Sequence, residues 1–353
     1  EGTLDAIWRI FAWSMNVLLS GCSPDRDYAD RPLPGGGEPL AGGWRGAMCQ
    51  CRGDWEFYTS VFGFPQWNTA LSMCWMCRAS SIDDGLSWTI CGAGAGWRRT
   101  RWTHEGYMEH LRASSLYIPL LLCLIIGFRL ECIMVDVLHT VDQGVASHIV
   151  GNVFWILIRR RVFGKRTQDE NAAELHEDIA KWYKGRGRNT TSRVQGTLAV
   201  DRIRTKGGWP KLKAKAAATR HLAVYAFELW GRFAQMTSEY DQSVLAVLQL
   251  LIRFYEILEF EGMFLRAGVR EELPELGRRL CVLYSGLAAD AFRRNEKLWN
   301  MNPKLHLFLH LCEWQALSHG NPRYYWTYAD EDLVGSMIEV AESCHPRPLA
   351  TSA

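Results

Sequence analysis

The chain has no apolar run long enough to cross a bilayer. Its longest, Leu116 to Phe128, covers thirteen residues, against the ~20 that a spanning helix needs. That stretch reads as a buried strand or core helix, with no membrane partner. Net charge is equally scarce. Forty basic residues against 38 acidic ones leave a formal +2 at pH 7, so contact with a polyanion must come from local basic tracts, not a global field. An even set of cysteines is lacking. Eleven are scattered from Cys22 to Cys344, which argues against a secreted disulfide framework and leaves thiols free for metal in a reducing compartment. Internal repeats are missing, and no apolar heptad marks a coiled coil. No initiating Met precedes Glu1, and Asp5 and Arg9 spoil the apolar pattern a secretion signal needs. The chain therefore reads as a piece of a longer frame.

What is present suits a soluble protein with a large core. Hydrophobic residues make up 48% and charged residues 22% of 353 positions, with sixteen tryptophans. Residues 1–44 read as a helix followed by a Gly/Pro-rich loop. Residues 45–150 read as mixed α/β, with one possible strand before Asp54 and a second, Glu131 to Asp136, each ending in a carboxylate. Residues 151–300 carry apolar residues at helical spacing. In Ser243 to Phe260 these are Val244, Leu245, Val247, Leu248, Leu251, Ile252, Tyr255 and Leu258. Residues 301–353 return to the core through a His-x3-His stretch and a last helix.

Three acids sit at element ends: Asp54, Asp136 and Glu331. Three converging carboxylates can hold two Mg²⁺ or Mn²⁺ ions ~4 Å apart, the arrangement that activates water and stabilises the leaving oxygen in phosphodiester transfer. With 38 acids in the chain, position alone does not select them, and Asp330 and Asp332 compete for the last place. Cys74 and Cys77 form a Cys-x2-Cys pair, and His306 and His310 lie one helical turn apart. Two thiolates at that spacing can share a zinc ion, and the histidines can supply the two further ligands of a tetrahedral site, with Cys49, Cys51 and Cys91 as rivals for a purely local one. Basic tracts fall in the helical region: Arg159, Arg160, Arg161, Lys165, Arg166, Arg186, Arg188, Lys211 and Lys213 are candidate phosphate contacts.

These motifs, in this order, resemble the catalytic domains of DDE transposases related to the CACTA and Plavaka elements. The matching stretches are Gly53-Asp54, Val61 to Pro65, Cys74 to Cys77, Asp136-Val-Leu-His139 with Gly144-Val145, Pro303-Lys304 with His306 and His310, and Glu331, twenty-one residues after His310. The order of cysteine pair, histidine pair and final glutamate is also similar to that of the V(D)J recombinase. The resemblance spans roughly residues 45–345. It implies an RNase H-like α/β core split by a long helical insertion, with Glu331 as the last acid. It further implies a structural zinc that fixes the insertion to the core, double-stranded DNA as substrate, a nuclear location and action as a homo-oligomer. Two other functions fit the same residues: a transposase-derived protein that binds nucleic acid without cutting, and a zinc-stabilised helical interaction module.

Overall fold

A computed structural model describes residues 2–66, 71–186, 192–235 and 237–343. The chain divides into two compact units, Glu1–Val135 and Asp136–Ala353.

In the first unit, α1 (Thr3–Ser20) ends at Gly21, whose left-handed φ of 68° closes the helix. Asn16 fastens α1 to α4 (Leu120–Leu124): its amide donates to the Leu124 carbonyl at 2.7 Å, and its Oδ1 accepts from Ile126 at 2.9 Å. The core is aromatic. Tyr58 and Phe62 of α2 (Trp55–Phe62) pack with Phe64 and Trp75, which stack at 5.2 Å, and Tyr107 of α3 (His104–Ala113) meets Phe64 edge-on. Irregular backbone rich in Trp, Gly and Cys is thus held by ring packing, not by helix faces.

The second unit is helical. A π-helical stretch, Leu138–Ala146, runs into α5 (Ser147–Arg159), whose residues from Ser147 to Ile158 are all buried. Against the expectation of no run long enough to cross a bilayer, Leu138–Arg159 is long and apolar enough by length and composition, yet 94% of its most apolar 18-residue stretch lies inside the protein's own core. Around it pack α8 (Ala216–Phe233), α9 (Glu239–Phe260) and α11 (Pro303–His310), and α10 (Ala267–Arg293) packs on α9 and α11. The face read for α9 is largely the one buried, with Phe254 and Ile257 added and Leu245 and Ile252 half-buried. Short helices α7 (Val200–Ile203) and α12 (Ala316–His319) connect longer ones. α6 (Gln168–Gly185) starts in a full capping box, Thr167 with Glu170. α13 (Tyr328–Ser343) closes the described chain and buries none of its residues.

The expected α/β RNase H-like core is not what folds. The described residues are mostly helical, 61%, and contain no β-strand or sheet. The two expected strands do meet, but for a single rung: Cys51 pairs in parallel with Ile133, with Cys51 N–H donating to Cys132 O at 2.7 Å and Met134 N–H to Cys51 O at 2.8 Å. Three residues beyond that rung on each segment stands an aspartate that turns its backbone into a helix. Asp54 caps α2, accepting from Phe57 N–H at 2.7 Å, and Asp136 accepts from His139 N–H at 2.8 Å. A ladder cannot extend past a residue that starts a helix. The apolar run at Leu116 likewise forms only the short α4 and turns.

Candidate metal centre

Cys74 and Cys77 lie in a tight turn in which Met76 N–H donates to Cys74 Sγ and Ala79 N–H to Cys77 Sγ, both at 3.3 Å. Amide donors aimed at sulfur stabilise thiolate charge. Burial pushes the Cys77 thiol far up, and its hydrogen bond with Cys74 adds to that. His306 and His310 sit on α11, which begins with Asn302 accepting from Lys304 N–H and Pro303 in the first turn. One helical turn apart, they share a face. Their rings stand edge-to-face at 4.3 Å, and His310 stacks on Trp314 at 4.1 Å.

One ligand atom from each of Cys74, Cys77, His306 and His310 lies within 4.8 Å of the others, and all four residues are buried. A buried Cys₂His₂ group of this kind could hold a metal ion such as zinc. With Zn–S about 2.3 Å and Zn–N about 2.0 Å, a bound ion would draw the set slightly together. Cys49, Cys51 and Cys91 are not in the group. Cys51 is instead buried at the single parallel rung, its thiol pushed up to about 12. The purely local zinc site is therefore not what the fold assembles.

Of the three expected acids, two meet on one histidine of the second unit. Asp136, 3% exposed, accepts from Thr327 N–H at 2.9 Å through Oδ1 and pairs with His139 Nδ1 at 2.7 Å through Oδ2. The other ring nitrogen, Nε2, faces Glu331 Oε1 at 3.4 Å. Glu331 lies in the first turn of α13 with its side chain 54% exposed. Nε2 and Oε1 together suit a shared proton or cation. Lys304 Nζ donates to the His139 carbonyl at 2.7 Å. Gly144 makes room for it, since a Cβ there would stand 2.6 Å from Lys304 Cδ. Asp54 caps α2 in the first unit. No group of three metal-ligating side chains other than the cysteine–histidine set occurs among the described residues.

The basic tracts sort cleanly. Arg159 pairs with Glu296 at 2.7 Å and Lys165 with Glu174 at 2.8 Å. Arg160 forks onto buried Asp241 at 2.7 and 2.9 Å and covers Trp230, and Arg186 pairs with Glu228 over Trp182. Arg161 and Arg166 are exposed, and Arg188 lies outside the described residues. Lys211 and Lys213 are exposed and, among the described residues, pair with no carboxylate.

Sequence reasoning missed Asp142. It is wholly buried, accepting from Tyr255 OH at 2.5 Å and Tyr328 OH at 2.7 Å, and burial raises its pKa to about 7. The available signal was a carboxylate between Val141 and Val145 on an apolar helical face.

No family model matches the chain, and neither a curated protein nor a solved structure matches it.

Proposed function

We propose that this chain cuts and rejoins DNA as a transposase related in chemistry to the CACTA and Plavaka enzymes, with zinc in the Cys₂His₂ centre and magnesium or manganese at its acids. The observation that carries this is the interlocking of motif residues from opposite ends of the second unit. Asp136 and Glu331 share His139, Lys304 binds the His139 carbonyl, and Gly144 accommodates Lys304. Residues nominated separately by sequence order thus form one polar cluster. The donor set of two thiols and two imidazoles favours zinc over magnesium at the buried centre, because soft sulfur ligands select it.

In this reading Asp136 and Glu331 would hold the divalent ions. Such ions lower the pKa of bound water and stabilise the departing oxygen. Water attacks the phosphodiester in line, the P–O3′ bond breaks, and a 3′-OH and a 5′-phosphate result. That 3′-OH then attacks a target phosphodiester, displacing its 3′ oxygen, so one bond replaces another without external energy.

The test is nicking of duplex DNA carrying candidate end sequences, with magnesium or manganese, by the wild type and Asp136→Asn. Wild-type nicking lost in the variant upholds the reading; equal activity, or none in either, overturns it. A second reading, a protein that has kept this framework without cutting, is favoured by one observation. Both Asp136 oxygens already accept from protein donors, so an ion would have to displace them. It predicts no metal-dependent nicking at all.

A further inference from the structure

The segment from Trp209 to Lys215 is a ridge of unneutralised charge. Exposure alternates along it: Trp209, Lys211, Lys213 and Lys215 face outward, while Pro210 and Leu212 are buried and Ala214 is half-buried. From Trp209 to Lys213 that two-residue period is the mark of extended backbone, which sets alternate side chains about 6.6 Å apart, and a bend at Ala214 follows. Successive phosphates along one strand of nucleic acid are spaced similarly. The ridge is fixed rather than loose. Lys211 N–H donates to Ile203 O at 2.9 Å, Leu212 N–H to Ser147 O at 2.8 Å and Lys213 N–H to Arg202 O at 2.7 Å. It lies so close on α5 that a Cβ on Gly151 would stand 2.7 Å from Leu212 N and 2.8 Å from Lys211 Cα. Glycine is what lets the ridge dock.

Among the described residues no carboxylate pairs with Lys211, Lys213 or Lys215, nor with Lys206 in the preceding turn. This sets the ridge apart from Arg159, Arg160, Lys165 and Arg186, whose charges are spent on acids of the same unit. The ridge also runs directly into the N-terminus of α8, where Lys215 is the N-cap and no side chain closes the first turn, so the helix dipole continues the positive field.

We propose that Lys211, Lys213 and Lys215 form a track for the phosphate backbone of a nucleic-acid strand, with Trp209 as a flat apolar neighbour at one end. The track binds without base specificity, because lysines on phosphates carry no sequence information. It deepens the DNA-acting reading by naming a contact surface, but it rests on charge and backbone geometry, not on cleavage.

The experiment is binding of fluorescently labelled duplex and single-stranded DNA across a range of salt concentrations, without magnesium or manganese. Each of Lys211→Gln, Lys213→Gln and Lys215→Gln is expected to reduce the slope of log affinity against log salt by about 1. The triple variant should bind on the order of tenfold or more weakly. A second triple variant, Arg159→Gln, Lys165→Gln and Arg186→Gln, changes net charge equally and should leave the slope unchanged. Because magnesium and manganese are left out, the assay reads binding alone, and its outcome is distinct from that of the nicking test. Equal slope changes in the two triple variants would overturn the track, as would wild-type DNA binding that salt does not weaken. Binding to anionic vesicles but not to DNA would overturn it too.

Discussion

Asp142 shows how one buried residue couples stability to pH. Burial is the largest influence on its carboxyl, and nearby Asp136 adds to it, while Tyr255, Tyr328 and Arg220 oppose them. Its folded pKa, about 7, exceeds its ordinary 3.8. The folded state therefore holds the proton more tightly, and this contribution to stability declines as pH rises from about 4 to about 7. His148 runs the other way. Burial, then Lys211, push it down to about 4 from 6.5, so its contribution is lost as pH falls from 6.5 towards 4. Urea melts of Asp142→Asn at pH 5 and pH 8 should differ: the variant gains on the wild type at the higher pH, by up to about 3 kcal/mol between the two. An identical difference at both values would refute the assignment. At Asp54 the expected effect is plainer. Asp54→Ala removes a helix cap and should cost about 1 kcal/mol, whereas Asp54→Asn keeps an accepting oxygen and should cost little.

At the scale of elements, the sequence was informative where one period governed. The α9 face followed directly from apolar spacing, because a helix that buries one side leaves a 3.6-residue imprint. The histidine pair and cysteine pair were legible by spacing and do gather. The strands were not, for a physical reason: Asp54 and Asp136 look alike as strand-ending ligands and as helix caps, and only backbone hydrogen bonds separate the two. Nor could a basic run reveal which of its cations face acids tens of residues away, as Arg160 faces Asp241. α13 is the converse case. Leu333, Val334, Met337 and Ile338 are all more than half exposed, so aspartate at any one of them should shift stability by no more than about 0.5 kcal/mol. A substantially larger loss on thermal melting would mean that this helix packs on the rest of the unit after all.

For the whole molecule, the buried Cys₂His₂ group should behave as a folding cofactor. The purified chain is expected to carry one zinc, and Cys77→Ser or His310→Gln to carry less. A strong chelator should lower stability by several kcal/mol. A metal-free chain that melts at the same temperature would dispose of this. Stability elsewhere should depend on Arg160 and Asp241. Asp241 is 1% exposed, so Arg160→Ala strands a buried carboxylate and should cost about 3 kcal/mol. α13 stands outside both anchors. It buries no residue, and the ties at its start include the Tyr328 hydroxyl on Asp142, Thr327 N–H on Asp136 and Glu331 beside His139. A protease should therefore nick this terminal rod early, and its amides should exchange with deuterium far sooner than those of α5. Glu331 rides on that rod, so its approach to His139 is a matter of how often the rod is seated.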